Sequence, residues 1–132
     1  MRYHYKKSIE PFFKDGLELW RSSPFSRTAF LVSVVLLAGT FALPVWRLLP
    51  LSSDLPFIAL HYNVYLGVDR FGPLYQIFFI PTLGLFFLLL NATIEVISWR
   101  RQRTLAHFFA GSTPLLQGIL LVAMALIVLI NV

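Results

Sequence analysis

Three long stretches of this chain, residues 28–45, 71–94 and 104–132, contain no Asp, Glu, Lys or Arg. At ~1.5 Å of rise per residue, the shortest of them comes close to crossing the ~30 Å hydrocarbon core of a bilayer, and the other two exceed it. In hydrocarbon every backbone N–H and C=O must find its partner within the chain, so runs of this length read as spanning helices. A chain of 132 residues that is 58% hydrophobic and only 13% charged has room for three spans and no separate soluble core. The expected class is an all-α membrane protein with spans at about 28–49, 74–99 and 104–131. A cytoplasmic arm of residues 1–27 precedes them, and an outer loop of residues 50–73 separates the first two.

Local signals refine each span. Trp46 and Arg47 close the first as an interfacial aromatic and a snorkelling cation. Pro81 lacks an N–H and crowds the carbonyl four residues back, which predicts a bend near residues 77–81. Gly111, Ser112, Thr113 and Pro114 interrupt the third run. The expectation is one kinked helix; the alternative is a shorter helix capped by Thr113 with Pro114 at its first position.

Nine of the eleven lysines and arginines fall in residues 1–27 or 100–103, and only Arg47 and Arg70 fall in the first connection. That bias places the amino terminus in the cytoplasm and residues 50–73 and the carboxyl terminus outside. Twenty-seven residues before the first span argue against a cleaved signal peptide. The basic residues lie beside apolar runs, which explains them as topology signals and lipid contacts, without nucleic acid. Within the arm, Ile9, Phe12, Phe13, Leu17 and Trp20 recur at helical spacing, Ser8 is a candidate cap, and Glu10, Lys14 and Glu18 form i,i+4 pairs. The arm reads as an amphipathic helix lying in the inner headgroup layer, or alternatively docking on a cytoplasmic partner.

The outer loop has a strand period. Ile58, Leu60, Tyr62 and Val64 alternate with Ala59, His61, Asn63 and Tyr65, then Gly67 and Gly72-Pro73 supply turns around Asp69 and Arg70. The expected strand lies at the outer surface with its apolar side on the helix ends. His61, Asn63, Tyr65, Asp69 and Arg70 are its candidate binding residues, and a local hydrogen-bonded cluster of His61, Asn63 and Asp69 is expected. The spacing of Pro56, His61, Tyr62, Asn63, Gly67, Asp69, Phe71 and Gly72 between two spans resembles the short module of unassigned function found in bacterial SdpI-type toxin-immunity membrane proteins. The resemblance covers about residues 28–98. It implies a helical protein of the bacterial inner (plasma) membrane and does not imply an enzyme.

Catalytic and metal motifs are absent: no HExxH, no Gly-x-Ser-x-Gly elbow, no phosphate-binding glycine loop, and no cysteine at all. His61 and Asp69 are two possible metal ligands without a third, so a structural hydrogen bond is the expected use, and no cofactor is expected. Inside the spans the polar residues are Asn91, Glu95, His107 and Gln117. Helix rise puts Glu95 and His107 at one depth. Glu95 then either snorkels to the headgroups beside Arg100 or Arg101, or meets His107 and Asn91 on the seam between the second and third spans. Ala38, Ala42, Gly84, Gly118 and Ala125 are small enough for close helix contact. Two functions compete: a non-catalytic module that binds a membrane or extracytoplasmic protein or peptide through residues 50–73, and transport or sensing through an oligomeric bundle.

Overall fold

The computed structural model describes the backbone of residues 2–51 and 57–132, with side chains from residue 10 onward. Pro56 and the side chains of Arg2, Lys6, Lys7, Ser8 and Ile9 lie outside the described residues. The order is α1 (Arg2–Ser22), α2 (Pro24–Arg47), a 3-10 turn (Leu49–Leu51), strands β1 (Ile58–Asn63) and β2 (Gly67–Gly72), a second 3-10 turn (Leu74–Phe78), α3 (Phe79–Ser98) and α4 (Arg103–Asn131). Three segments, Pro24–Leu51, Leu74–Ser98 and Arg103–Asn131, are long and apolar enough to cross a membrane. This is the all-α, three-span class expected.

α2 starts four residues before the charge-free run, and the cause is local. Ser23 is extended (φ −114°, ψ 96°), its side chain accepts from the Ser26 N–H, and Pro24 follows at the first helical position, where its missing N–H costs nothing. α1 reaches back to Arg2, so Ser8 lies within the helix and does not cap it. Pro81 falls in the first turn of α3, just after the change from 3-10 to α winding at Phe78–Phe79, so it stands near the start of the α-helix and not within it as a break. α4 is continuous through Pro114, and Thr113 caps nothing: its hydroxyl donates back to the Phe109 carbonyl at 2.7 Å.

α4 packs on both α2 and α3 more extensively than those two pack on each other. The buried stripes recur every three or four residues: Ser26, Ala29, Ser33, Leu37, Thr40 and Pro44 on α2, Pro81, Gly84, Leu88, Asn91 and Glu95 on α3, and Ala106, Ala110, Thr113, Gln117, Met124 and Val128 on α4. Small and polar residues dominate these seams because lipid offers apolar side chains no penalty, leaving close packing and interhelical hydrogen bonds to hold helices together. Of the small residues singled out by sequence, Gly84 lies in a seam. Ala38, Ala42 and Ala125 face outward, and an added Cβ at Gly118 would meet nothing within 4 Å.

The outer loop is a hairpin, not a single strand with turns. β1 and β2 pair antiparallel from Ile58↔Gly72 to Asn63↔Gly67, with irregularities on either side of His61. These irregularities break the expected alternation. Ile58 and Ala59 are both buried, while Tyr62 and Val64, expected on the apolar side, are exposed. Asn63 Oδ1 accepts from the Tyr65 N–H at 2.9 Å, and Gly67 takes φ +75°, a left-handed conformation that closes the turn. The hairpin base sits on the helices through a cluster of Leu48, Ile58, Ile77, Met124 and Val128.

Candidate functional site

At the hairpin end, a cavity of about 1000 Å³ opens between the hairpin, the start of α3 and the end of α4. The hairpin side brings the polar His61, Asp69 and Arg70 beside Leu60; the helical side is mostly apolar, with Phe78, Phe79, Ile80 and Ile127 beside Tyr75, Gln76 and Thr82. The hairpin register brings its polar residues together, since His61 stands opposite Arg70 and one residue from Asp69. His61 Nδ1 lies 2.6 Å from Asp69 Oδ1, so the ring donates there and its Nε2 is the nitrogen left for another group. Asn63 is not part of this pair, because its side chain is committed to the turn. Tyr65, 94% exposed, stands at the tip and does not line the cavity. Among the described residues no group of three or more His, Asp or Glu collects as a metal site.

The frame of this cavity depends on a residue that sequence reading passed over. Asn131 Oδ1 accepts from the Ala59 N–H at 2.8 Å, and its Nδ2 donates to the Ala59 carbonyl at 2.8 Å and to Ile127 O at 2.8 Å. The side-chain amide pairs with β1 as a neighbouring strand would, and so fixes the hairpin to the last turn of α4. Its signal in the sequence is a single amide after an unbroken apolar run. Tyr75 and Gln76, which also line the cavity, lie in a segment that reads only as the start of a span.

The intramembrane polar residues occupy separate contacts. Gln117, fully buried, donates from Nε2 to the Gly84 carbonyl at 2.7 Å, bridging α4 and α3. Asn91 donates to Thr113 Oγ1 at 3.1 Å across the same seam. The expected contact of Glu95, His107 and Asn91 is not formed, and neither is the snorkelling arrangement. Glu95 is only 6% exposed, and Arg100 turns instead to α1, with its Nε 2.6 Å from Asp15 Oδ1 and an Nη 3.3 Å from Glu18 Oε2. Arg100 thereby ties the arm to the α3–α4 turn, where Leu19 packs with Trp99 and Ala106. Trp99 is consequently buried rather than interfacial, with Arg103 stacked over its ring at 5.0 Å.

Between His107 and Glu95 stand two serines. The His107 Nε2 is 3.3 Å from Ser23 Oγ, Ser23 Oγ donates to Ser26 Oγ at 2.9 Å, and Ser26 and Glu95 line one small cavity. The signal for this relay was the Ser-Ser-Pro start of α2, which identifies a cap and therefore the depth of Ser23 and Ser26. Comparison of the chain with family models, with curated proteins and with solved structures finds no match.

Proposed function

We propose that this chain is a non-catalytic integral membrane protein that holds a protein or peptide partner at its hairpin end. The observation that carries the reading is the cavity of about 1000 Å³ whose two walls differ in character. Cavities of roughly 300–1000 Å³ that pair an apolar wall with a few polar groups are the usual form of a binding site. An extended segment presenting an apolar side chain beside an acidic group fits: the apolar part lies against Phe79, Ile80 and Ile127, and the acid meets Arg70 and the free edge of His61. Asn91 hydrogen-bonds to a neighbouring helix, as does Gln117. This use as interhelical ties favours binding over passage through the bundle.

The cationic bias places the arm in the cytoplasm and the hairpin and the end of α4 outside. Location in a bacterial plasma membrane rests on the motif resemblance to the SdpI-type module, of which His61, Tyr62, Asn63, Gly67, Asp69, Phe71 and Gly72 lie on or beside the hairpin. A photoreactive residue introduced at position 61 or 70 should yield one discrete crosslinked species in cells, while the same residue at the lipid-facing position 122 should not. Products from position 122 identical to those from positions 61 and 70, or none from the cavity positions, would overturn the reading.

A further inference from the structure

At the opposite end of the bundle, a second cavity of about 150 Å³ lies between α1, α2 and α3, with Glu95 in its lining. Glu95 Oε1 is buried and has no hydrogen-bond partner among the described residues. The linked side chains of His107, Ser23 and Ser26 lie on one side of the cavity, and among the described residues no donor reaches Oε1. A carboxylate oxygen buried without a donor is costly, on the order of 1–3 kcal/mol or more for a charged group, unless something outside the chain supplies one. Trp20 and Phe30, edge to face at 6.1 Å, form the apolar wall, and the exposed Arg27 stands at the rim.

We infer that this cavity takes the headgroup of an aminophospholipid, its primary ammonium donating to Glu95 and its phosphate meeting Arg27. A cavity of this size holds about five water volumes, enough for an aminoethyl group and too little for a fatty chain or a nucleotide. A primary ammonium brings three N–H donors to the carboxyl and a positive charge to the aromatic wall. A quaternary choline brings the charge without the donors. The guanidinium of Arg27 suits a phosphate by its planar fork. The other charged groups nearby are already engaged: Asp15 and Glu18 face Arg100, and His107 faces Ser23. Access is from the bilayer side, because Trp20 and Arg27 at the rim are exposed and an interfacial lipid lies at the level of their side chains.

The test uses the full chain in nanodiscs made of phosphatidylcholine with a minor fraction of either phosphatidylethanolamine or phosphatidylglycerol of the same acyl composition. Phosphatidylethanolamine should be retained on the protein in native mass spectrometry about tenfold more than phosphatidylcholine, as expected for one charge-assisted hydrogen bond. Glu95→Gln should remove that preference while leaving the melting temperature in phosphatidylcholine close to the parent, since Gln keeps the size and polarity of the side chain while losing its charge. Should that variant fail to fold, Arg27→Gln and Trp20→Leu on the exposed rim test the site by total retention: each should lower the amount of phosphatidylethanolamine held several-fold against the parent, and phosphatidylcholine with it, since both lipids carry the phosphate and the cation. Equal retention of phosphatidylethanolamine and phosphatidylcholine, retention of phosphatidylglycerol as strong as that of phosphatidylethanolamine, an undiminished preference in Glu95→Gln, or undiminished retention in both rim variants overturns the inference. Stabilisation in detergent by soluble ethanolamine as large as that by the lipid overturns the lipid assignment in favour of a free amine. Loss of crosslinking at position 61 would leave every one of these outcomes unaffected.

Discussion

Gly84 and Gln117 show how little space a single residue has in the α3–α4 seam. A Cβ on Gly84 would sit 2.9 Å from Gln117 Oε1 and 3.0 Å from Leu37 Cδ1, so the ends of both side chains would have to shift, and Gln117 with them from its bond to the Gly84 carbonyl. Gly84→Ala should therefore destabilise the bundle by about 1–3 kcal/mol, the usual cost of overpacking. Gln117→Leu should cost less, about 0.5–1.5 kcal/mol, because it removes one interhelical hydrogen bond together with the unpartnered Oε1. Reversible unfolding in mixed micelles ranks the two, and a Gln117→Leu effect larger than that of Gly84→Ala would mean that the seam is held by the amide rather than by close approach. The polarity of Asn91, Glu95, His107 and Gln117 against their apolar surroundings was legible, but their partners were not. Depth along a helix follows from counting residues, whereas rotation about its axis depends on packing. Hence Glu95 and His107 stand level without touching, and Asn91 meets Thr113.

At the scale of the element, the charge-free runs disclosed the three spans because membrane solvation acts on every residue of a helix at once. The second strand escaped notice for the opposite reason. Its sequence Gly-Val-Asp-Arg-Phe-Gly has no alternation, glycine at both ends and two charges, so its conformation comes from pairing with β1. The attachment of the hairpin is likewise non-local. Asn131→Leu removes the amide that pairs with both backbone groups of Ala59, and at ~0.5–1.5 kcal/mol for each lost bond the hairpin should loosen while the bundle stays intact. Hydrogen exchange at residues 58–63 should accelerate several-fold in that variant, with α3 unchanged. Equal protection in both forms would assign the anchoring to the Leu48, Ile58 and Ile77 cluster alone.

For the whole molecule, the proposed orientation predicts the reactivity of single cysteines in intact cells. An impermeant thiol reagent should label a cysteine replacing Tyr65 at the hairpin tip or Val132, and should reach one replacing Gln102 only after permeabilisation. Labelling of Gln102→Cys alone would invert the topology. The ends of the bundle are built differently. The arm is joined to the α3–α4 turn by ion pairs of Arg100 with Asp15 and Glu18, whereas the hairpin is joined to α4 by an amide. The amide has a consequence for the order in which the protein is made. Ala59 and Asn131 are separated by 72 residues, so β1 leaves the ribosome long before the group that completes its edge exists. Throughout the insertion of α3 and most of α4 that edge stays unpaired, available to any other extended chain. The hairpin takes its final seating only when the last turn of α4 arrives.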